Sequence, residues 1–173
     1  LKDAAKWFKR GTSVLEADVR RQIYDDGSYV QQSMNYHRVM LHDCLWAIRL
    51  AGLNGRPLSA ELRERVARAG EFLHEMLDPP SGRVPNYGAN DGALVLPLSS
   101  CDYTDYRPTV QAARYQATDR LVLAPGPWDE MALWLFGSVA QPPSAVSIAP
   151  AISRFHTAET PVPQEVATDL PVC

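Results

Sequence analysis

Asn35, Tyr36, His37 and Arg38 place an amide, a phenol, an imidazole and a guanidinium side by side. Tyrosine and histidine both move protons once their surroundings bring their pKa values toward neutrality. The four follow Ser33 at what reads as the first turns of a helix. A helix N-terminus carries unpaired N–H groups and a partial positive charge, which favours a bound carboxylate. Residue types alone favour a plainer reading: a buried tyrosine bonded to a nearby histidine or carbonyl, with Ser33 as cap. A single Tyr-His pair is a weak motif.

Two further segments are polar and dense. Val84-Pro-Asn-Tyr-Gly-Ala-Asn-Asp-Gly92 is a tight turn in which Asn86, Asn90 and Asp91 could hold a sugar. Asx-turn chemistry, with glycine supplying positive φ, explains the same residues and is locally the simpler account. In Asp102-Tyr-Thr-Asp-Tyr-Arg107, tyrosine and arginine suit sugar stacking and carboxylate pairing. Equally, Asp105 suits the cap of a following helix with Pro108 in its first turn. His37, His42, His74 and His156 stand in no metal-ligand spacing, and Cys44, Cys101 and Cys173 match no common zinc pattern. No metal and no cofactor is expected.

The elements that must position these residues read as helices. A helix over 2–10 is expected to end at Gly11, and Ser13-Val-Leu-Glu16 reads as a capping box opening a second helix to about Tyr24. Apolar residues at helical spacing predict a helix from about Gln32 to Ala51. Another starts after Pro57 and Ser59, with Leu62, Val66, Ala69, Phe72, Leu73 and Met76 as its buried stripe. Glu61, Arg63, Glu64, Arg65 and Arg68 read as that helix's solvated face. The 79–107 segment is a long loop, of the kind that often carries function. Shorter helices follow over 109–117 and 128–136.

Hydrophobic residues make up 46% and charged residues 21%, enough to bury a core through most of the chain. A net charge of −3 supplies no basic excess for a nucleic-acid backbone, so no nucleic-acid partner is expected. It leaves room for a few arginines to meet an acidic polymer. No apolar run is long enough for a membrane span. Lys2, Lys6, Lys9 and Arg10 alternate with apolar residues, which reads as an amphipathic helix and not as a signal peptide. Residues 138–173 are rich in Pro, Ala, Ser and Thr without a period, and are expected to be a disordered tail.

Taken in order, the segments resemble heparinase II/III-like polysaccharide lyases and their alginate-lyase relatives. That family shows Gln-Ile-x-x-Asp-Gly-Ser, then Gln-Ser-x-x-Tyr-His, then Pro-Asn-x-Gly-x-Asn-Asp-Gly, then Asp-Tyr-Arg. Here they stand at Gln22 to Ser28, Gln32 to His37, Pro85 to Gly92 and Asp105 to Arg107. Trp134-Leu-Phe-Gly137 is similar to the family's Trp-Leu-x-Gly ending. The resemblance covers residues 3 to 137, and the ordered set overturns the plainer readings of the first two segments.

The resemblance implies an all-α fold of antiparallel helical hairpins, part of an (α/α) toroid over 1–137. In the family a β-sandwich domain normally follows. It implies β-elimination on a uronic-acid polysaccharide, with Tyr36 as the proton-transfer residue. His37, Asn90, Asp91 and Arg107 are implied as substrate contacts or as residues shaping the cleft. The family's neutralising Asn-His segment lies well upstream of this motif, and neither it nor the sandwich stands in this sequence. The chain is therefore expected to be incomplete as a catalyst by itself. The family is exported, which leaves this chain's compartment open. Two other readings remain at this point: a non-catalytic carbohydrate-binding helical module, and a structural remnant.

Overall fold

Five α-helices and a short 3-10 turn follow one another through residues 2–137, the part of the chain that the computed structural model describes. The expectations for 138–173, its disorder and Cys173 included, lie outside these residues. Pairings of Ile23 with Tyr29 and of Asp78 with Arg83 close tight turns, and no longer strand occurs among the described residues. The fold is all-α, as the apolar periodicity predicts.

Helix α1 spans Ala4–Gln22 without a break, which corrects the expected stop at Gly11. A glycine in a helix interior costs only about 1 kcal/mol. The stripe of Phe8, Leu15 and Val19, packed on the core, outweighs it. Ser13 thus sits mid-helix and caps nothing. Glu16 instead accepts from the Ser59 backbone N–H (3.3 Å), fastening α1 to the residue that opens the helix over Ala60–Glu75. Beside α1 runs an apolar groove of about 690 Å³, walled by Trp7, Phe8, Leu15, Leu50 and Leu58.

Helix α2 spans Met34–Leu53, and helix α3 spans Ala60–Glu75. Their serine caps are in place: Ser33 Oγ accepts from Tyr36 N (3.1 Å) and Ser59 Oγ from Leu62 N (3.3 Å). The expected stripe of α3 is buried at Leu62, Val66, Ala69 and Leu73, against Leu41 and Leu45 of α2. Its charged face needs correction. Arg65 is half-buried, donating to the Ile23 carbonyl (2.6 Å) and pairing with Asp25 (3.1 Å). Arg68 is half-buried too, because the 24–28 turn folds over this side of the helix. Only glycine permits that approach. Gly27 has φ +88°, and a Cβ there would stand 2.3 Å from the Arg68 carbonyl oxygen.

Helix α4 spans Arg107–Thr118, with Pro108 in its first turn. Asp105 Oδ1 accepts from Arg107 N (2.9 Å), as its place in the sequence suggests. Thr109, Val110, Gln111, Ala112 and Ala113 are buried. Gly70 lets α3 and α4 close up, since a Cβ there would lie 2.9 Å from the Ala113 Cβ. Gln111 holds the next loop: its Oε1 accepts from Val122 N and Leu123 N, and its Nε2 donates to Asp129 (2.5 Å). A 3-10 turn over Pro127–Asp129 leads into helix α5, Glu130–Phe136, which stops at Gly137 with φ 88°. The core lies among α2, α3 and α4, with α1 against α3 and α5 against α4. No helix among the described residues is long and apolar enough to cross a membrane.

Candidate functional site

The 79–107 segment lies over the first turns of α2, and Ser33 joins the two. Its hydroxyl accepts from Tyr36 N and donates to the Ala89 carbonyl (2.5 Å). Met34 N donates to the Tyr87 carbonyl (3.0 Å) alongside. Gly88, between those two carbonyls, crosses directly above the chain: a Cβ there would meet Gln32 O at 2.1 Å and Ser33 Cα at 2.6 Å. Its φ of +76° is left-handed as well. Gly88→Ala is therefore expected to cost on the order of 2 kcal/mol or more, from strained φ plus overpacking. An unchanged urea midpoint would show that the loop is not seated this way.

This seating brings Tyr36 to Asp91, 55 positions away in sequence, and the phenol donates to Asp91 Oδ2 (2.6 Å). Asp91 Oδ1 also accepts from Ala93 N (3.1 Å) and, at longer range, from Asn35 Nδ2 (3.4 Å). The hydrogen bond to Asp91, reinforced by that residue's negative charge, raises the Tyr36 pKa above the ordinary phenol value. The same bond, helped by Ala93 N, holds the Asp91 carboxyl below the usual carboxylate range. The pair rests as neutral phenol and ionised acid.

Behind it lies a second layer. Asn35 Oδ1 accepts from Arg38 Nη2 (2.8 Å) on the same face of α2, and it lies 2.8 Å from the Tyr103 hydroxyl. That hydroxyl also lies 2.6 Å from Asn90 Oδ1, and its single proton serves one acceptor at a time. Arg38 Nη1 donates to the Tyr103 carbonyl (2.6 Å), and the guanidinium sits between the faces of Tyr103 and Tyr106, 4.3 and 4.2 Å from the ring centres. In front of Asn35 opens a hollow of about 290 Å³, walled by Asn86, Tyr87, Asn90, Tyr103 and Tyr106 and reached by Arg83.

The far part of the loop is held by His42. Leu96 N donates to His42 Nδ1 (3.1 Å), so Nδ1 is bare, and Nε2–H points to Thr109 Oγ1 (2.8 Å). Burial, then the nearby Arg38 charge, pushes the His42 pKa down to about 3. The ring is a neutral structural clip.

Of the residues expected from sequence, Tyr36, Asn90 and Asp91 come together. His37 and Arg107 do not join them, and their contacts lie with the surrounding helices and loop. His37 is 2% exposed. Its Nε2–H donates to the Ala69 carbonyl (2.9 Å) and its ring stacks on Phe72. Burial holds its pKa below the ordinary value. The α2 helix turns it inward while Tyr36 turns outward. Arg107 forks onto Asp105 (3.0 and 2.7 Å) and lies 3.8 Å over the Trp128 ring, so it fastens loop to helix. Sequence reasoning gave no role to the Asn35-Arg38 pair. The i, i+3 spacing, which puts both on one helix face, is the signal that could have found it.

The chain matches the family model described as Heparinase II/III N-terminus over residues 1–100. It belongs to the heparinase II/III family. Those matched residues include Tyr36, Asn90 and Asp91, whereas Tyr103 and Arg107 lie beyond them. A heparin-sulfate lyase from Bacteroides thetaiotaomicron is 25% identical over 117 residues, which are 66% of this chain and 16% of that protein. This heparinase II/III-like chain thus spans about a sixth of that relative's length. No solved structure matches it.

Proposed function

We propose that this chain carries the proton-transfer residue of a polysaccharide lyase that cleaves a uronic-acid polymer by β-elimination, as part of an α/α toroid. The observation that carries the proposal is the 2.6 Å bond from Tyr36 to Asp91, whose chain neighbours Asn35 and Asn90 line a hollow walled by tyrosines and amides. In such an elimination the C5–H bond and the C4–O bond break and a C4=C5 double bond forms. The C5 proton goes to a base, and the leaving glycosidic oxygen takes a proton from an acid. Tyr36 suits the second role. Its raised pKa keeps it protonated near neutrality, and it remains acidic enough to protonate an alkoxide.

Asp91 orients the phenol, and Asn90 with Tyr103 forms the wall on which a sugar lies. Tyrosine faces and amides are the usual furniture of such a wall, one apolar and one hydrogen-bonding. His37 and Arg107 serve this site from beneath, by fixing α2 against α3 and the loop against α4.

The test is the absorbance of the unsaturated uronate product during incubation with heparan sulfate, alginate and hyaluronan separately. A rise with one polymer supports lyase action and names the substrate class. No rise with any of them removes catalysis by this chain alone.

A further inference from the structure

Arg38 is 1% exposed, yet every group that meets it is neutral. It donates to the Tyr103 carbonyl and the Asn35 amide oxygen, lies between two phenol rings, and its Nε has no hydrogen-bond partner. Among the described residues it forms no ion pair. Burying a guanidinium without an anion is costly. Here the uncompensated charge stands one layer behind the 290 Å³ hollow, separated from it by Asn35, Tyr103 and Tyr106.

Asn35, itself 1% exposed, transmits that charge. An arginine only donates, so the Asn35 oxygen must face inward and its Nδ2 must face away. Of the two Nδ2 hydrogens, one is directed to Asp91 Oδ1 at a long 3.4 Å. Among the described residues Nδ2 has no second acceptor, and Asn35 lines the hollow. A cation pulling on the amide oxygen strengthens the amide as a donor.

We propose that the hollow seats the carboxylate of an acidic sugar, with Asn35 Nδ2 as its donor and Arg38 as the positioning residue that fixes and polarises that amide. This rests on the reading of the chain as acting on a uronate polymer, and it names the atoms that recognise the acid. Arg83 at the rim adds a second, solvent-facing cation on the same side.

The test is calorimetric titration of the 173-residue chain with an unsulfated glucuronate-containing tetrasaccharide and with its carboxyl-reduced counterpart. Neither ligand carries sulfate, so the carboxylate alone separates them. The unreduced ligand is expected to bind at least about tenfold tighter. Asn35→Asp keeps an acceptor for Arg38 and Tyr103 but removes the outward donor, and is expected to abolish that preference while the protein stays folded. Arg38→Lys keeps the charge without the fork and is expected to retain part of the preference. Equal binding of the two ligands by the unaltered chain overturns the proposal while leaving a carbohydrate site. A preference that survives Asn35→Asp overturns the assignment to Asn35. Failure to bind either ligand overturns both this inference and the reading beneath it.

Discussion

In a complete homologous enzyme that carries this segment, Tyr36→Phe is expected to lower formation of unsaturated uronate by about a hundred- to ten-thousandfold, the usual worth of a positioned acid or base. The change removes one hydroxyl at a half-buried position and leaves the α2 cap intact, because Ser33 bonds the Tyr36 backbone and not its side chain. Thermal stability should therefore hold while turnover falls. Asp91→Asn supplies a companion measurement with a definite sign. The Asp91 carboxylate raises the Tyr36 pKa, so its neutralisation lets that pKa fall. If Tyr36 is the acid, activity is lost as the phenol ionises, and the alkaline limb of the rate profile moves to lower pH. Unchanged turnover in Tyr36→Phe would end the assignment. An unmoved alkaline limb in Asp91→Asn would dissociate the two residues.

Acidification from about pH 7 to about pH 5 is expected to weaken the fold by about 2 kcal/mol through His42 alone. The folded pKa of His42 is about 3 against an ordinary 6.5. The unfolded chain therefore takes up a proton in this window that the folded chain refuses. The contribution is complete above the ordinary value and is lost as pH falls toward the folded one. His37, also held low by burial, adds in the same direction. Urea midpoints at the two pH values measure the effect, and His42→Gln should flatten the slope even if it lowers stability at both. Equal midpoints in the unaltered protein would show that the His42 ring is protonated in place.

The parts of this fold that could be read from sequence are those fixed locally. Ser33 and Ser59 announce helix starts because a serine cap needs only the next three residues. The stripe of α3 repeats within one helix. Gly11 misled because local propensity was outvoted by Phe8, Leu15 and Val19, whose packing is tertiary. Arg65 and Arg68 misled for the same reason, since the turn that covers them comes from another part of the chain. The site divides along this line. Tyr36, Asn90 and Asp91 stood out through ordered motifs, but the partnership of Tyr36 with Asp91 spans 55 positions and no local rule contains it. His37 adjoins Tyr36 in sequence but lies about 100° further round the helix, which turns it into the core.

The loop over α2 is fastened by a few polar stitches, at Met34, Ser33 and His42, whereas the helices beneath share an apolar core. Its residues 85–95 are mostly exposed, so opening it uncovers little apolar surface. Regions of that kind open at lower free energy than the whole molecule. Helicity is then a poor gauge of competence in this protein. A preparation can keep its full circular dichroism after heat or mild denaturant and yet have Tyr36 parted from Asp91, with the proposed site dismantled on an intact scaffold.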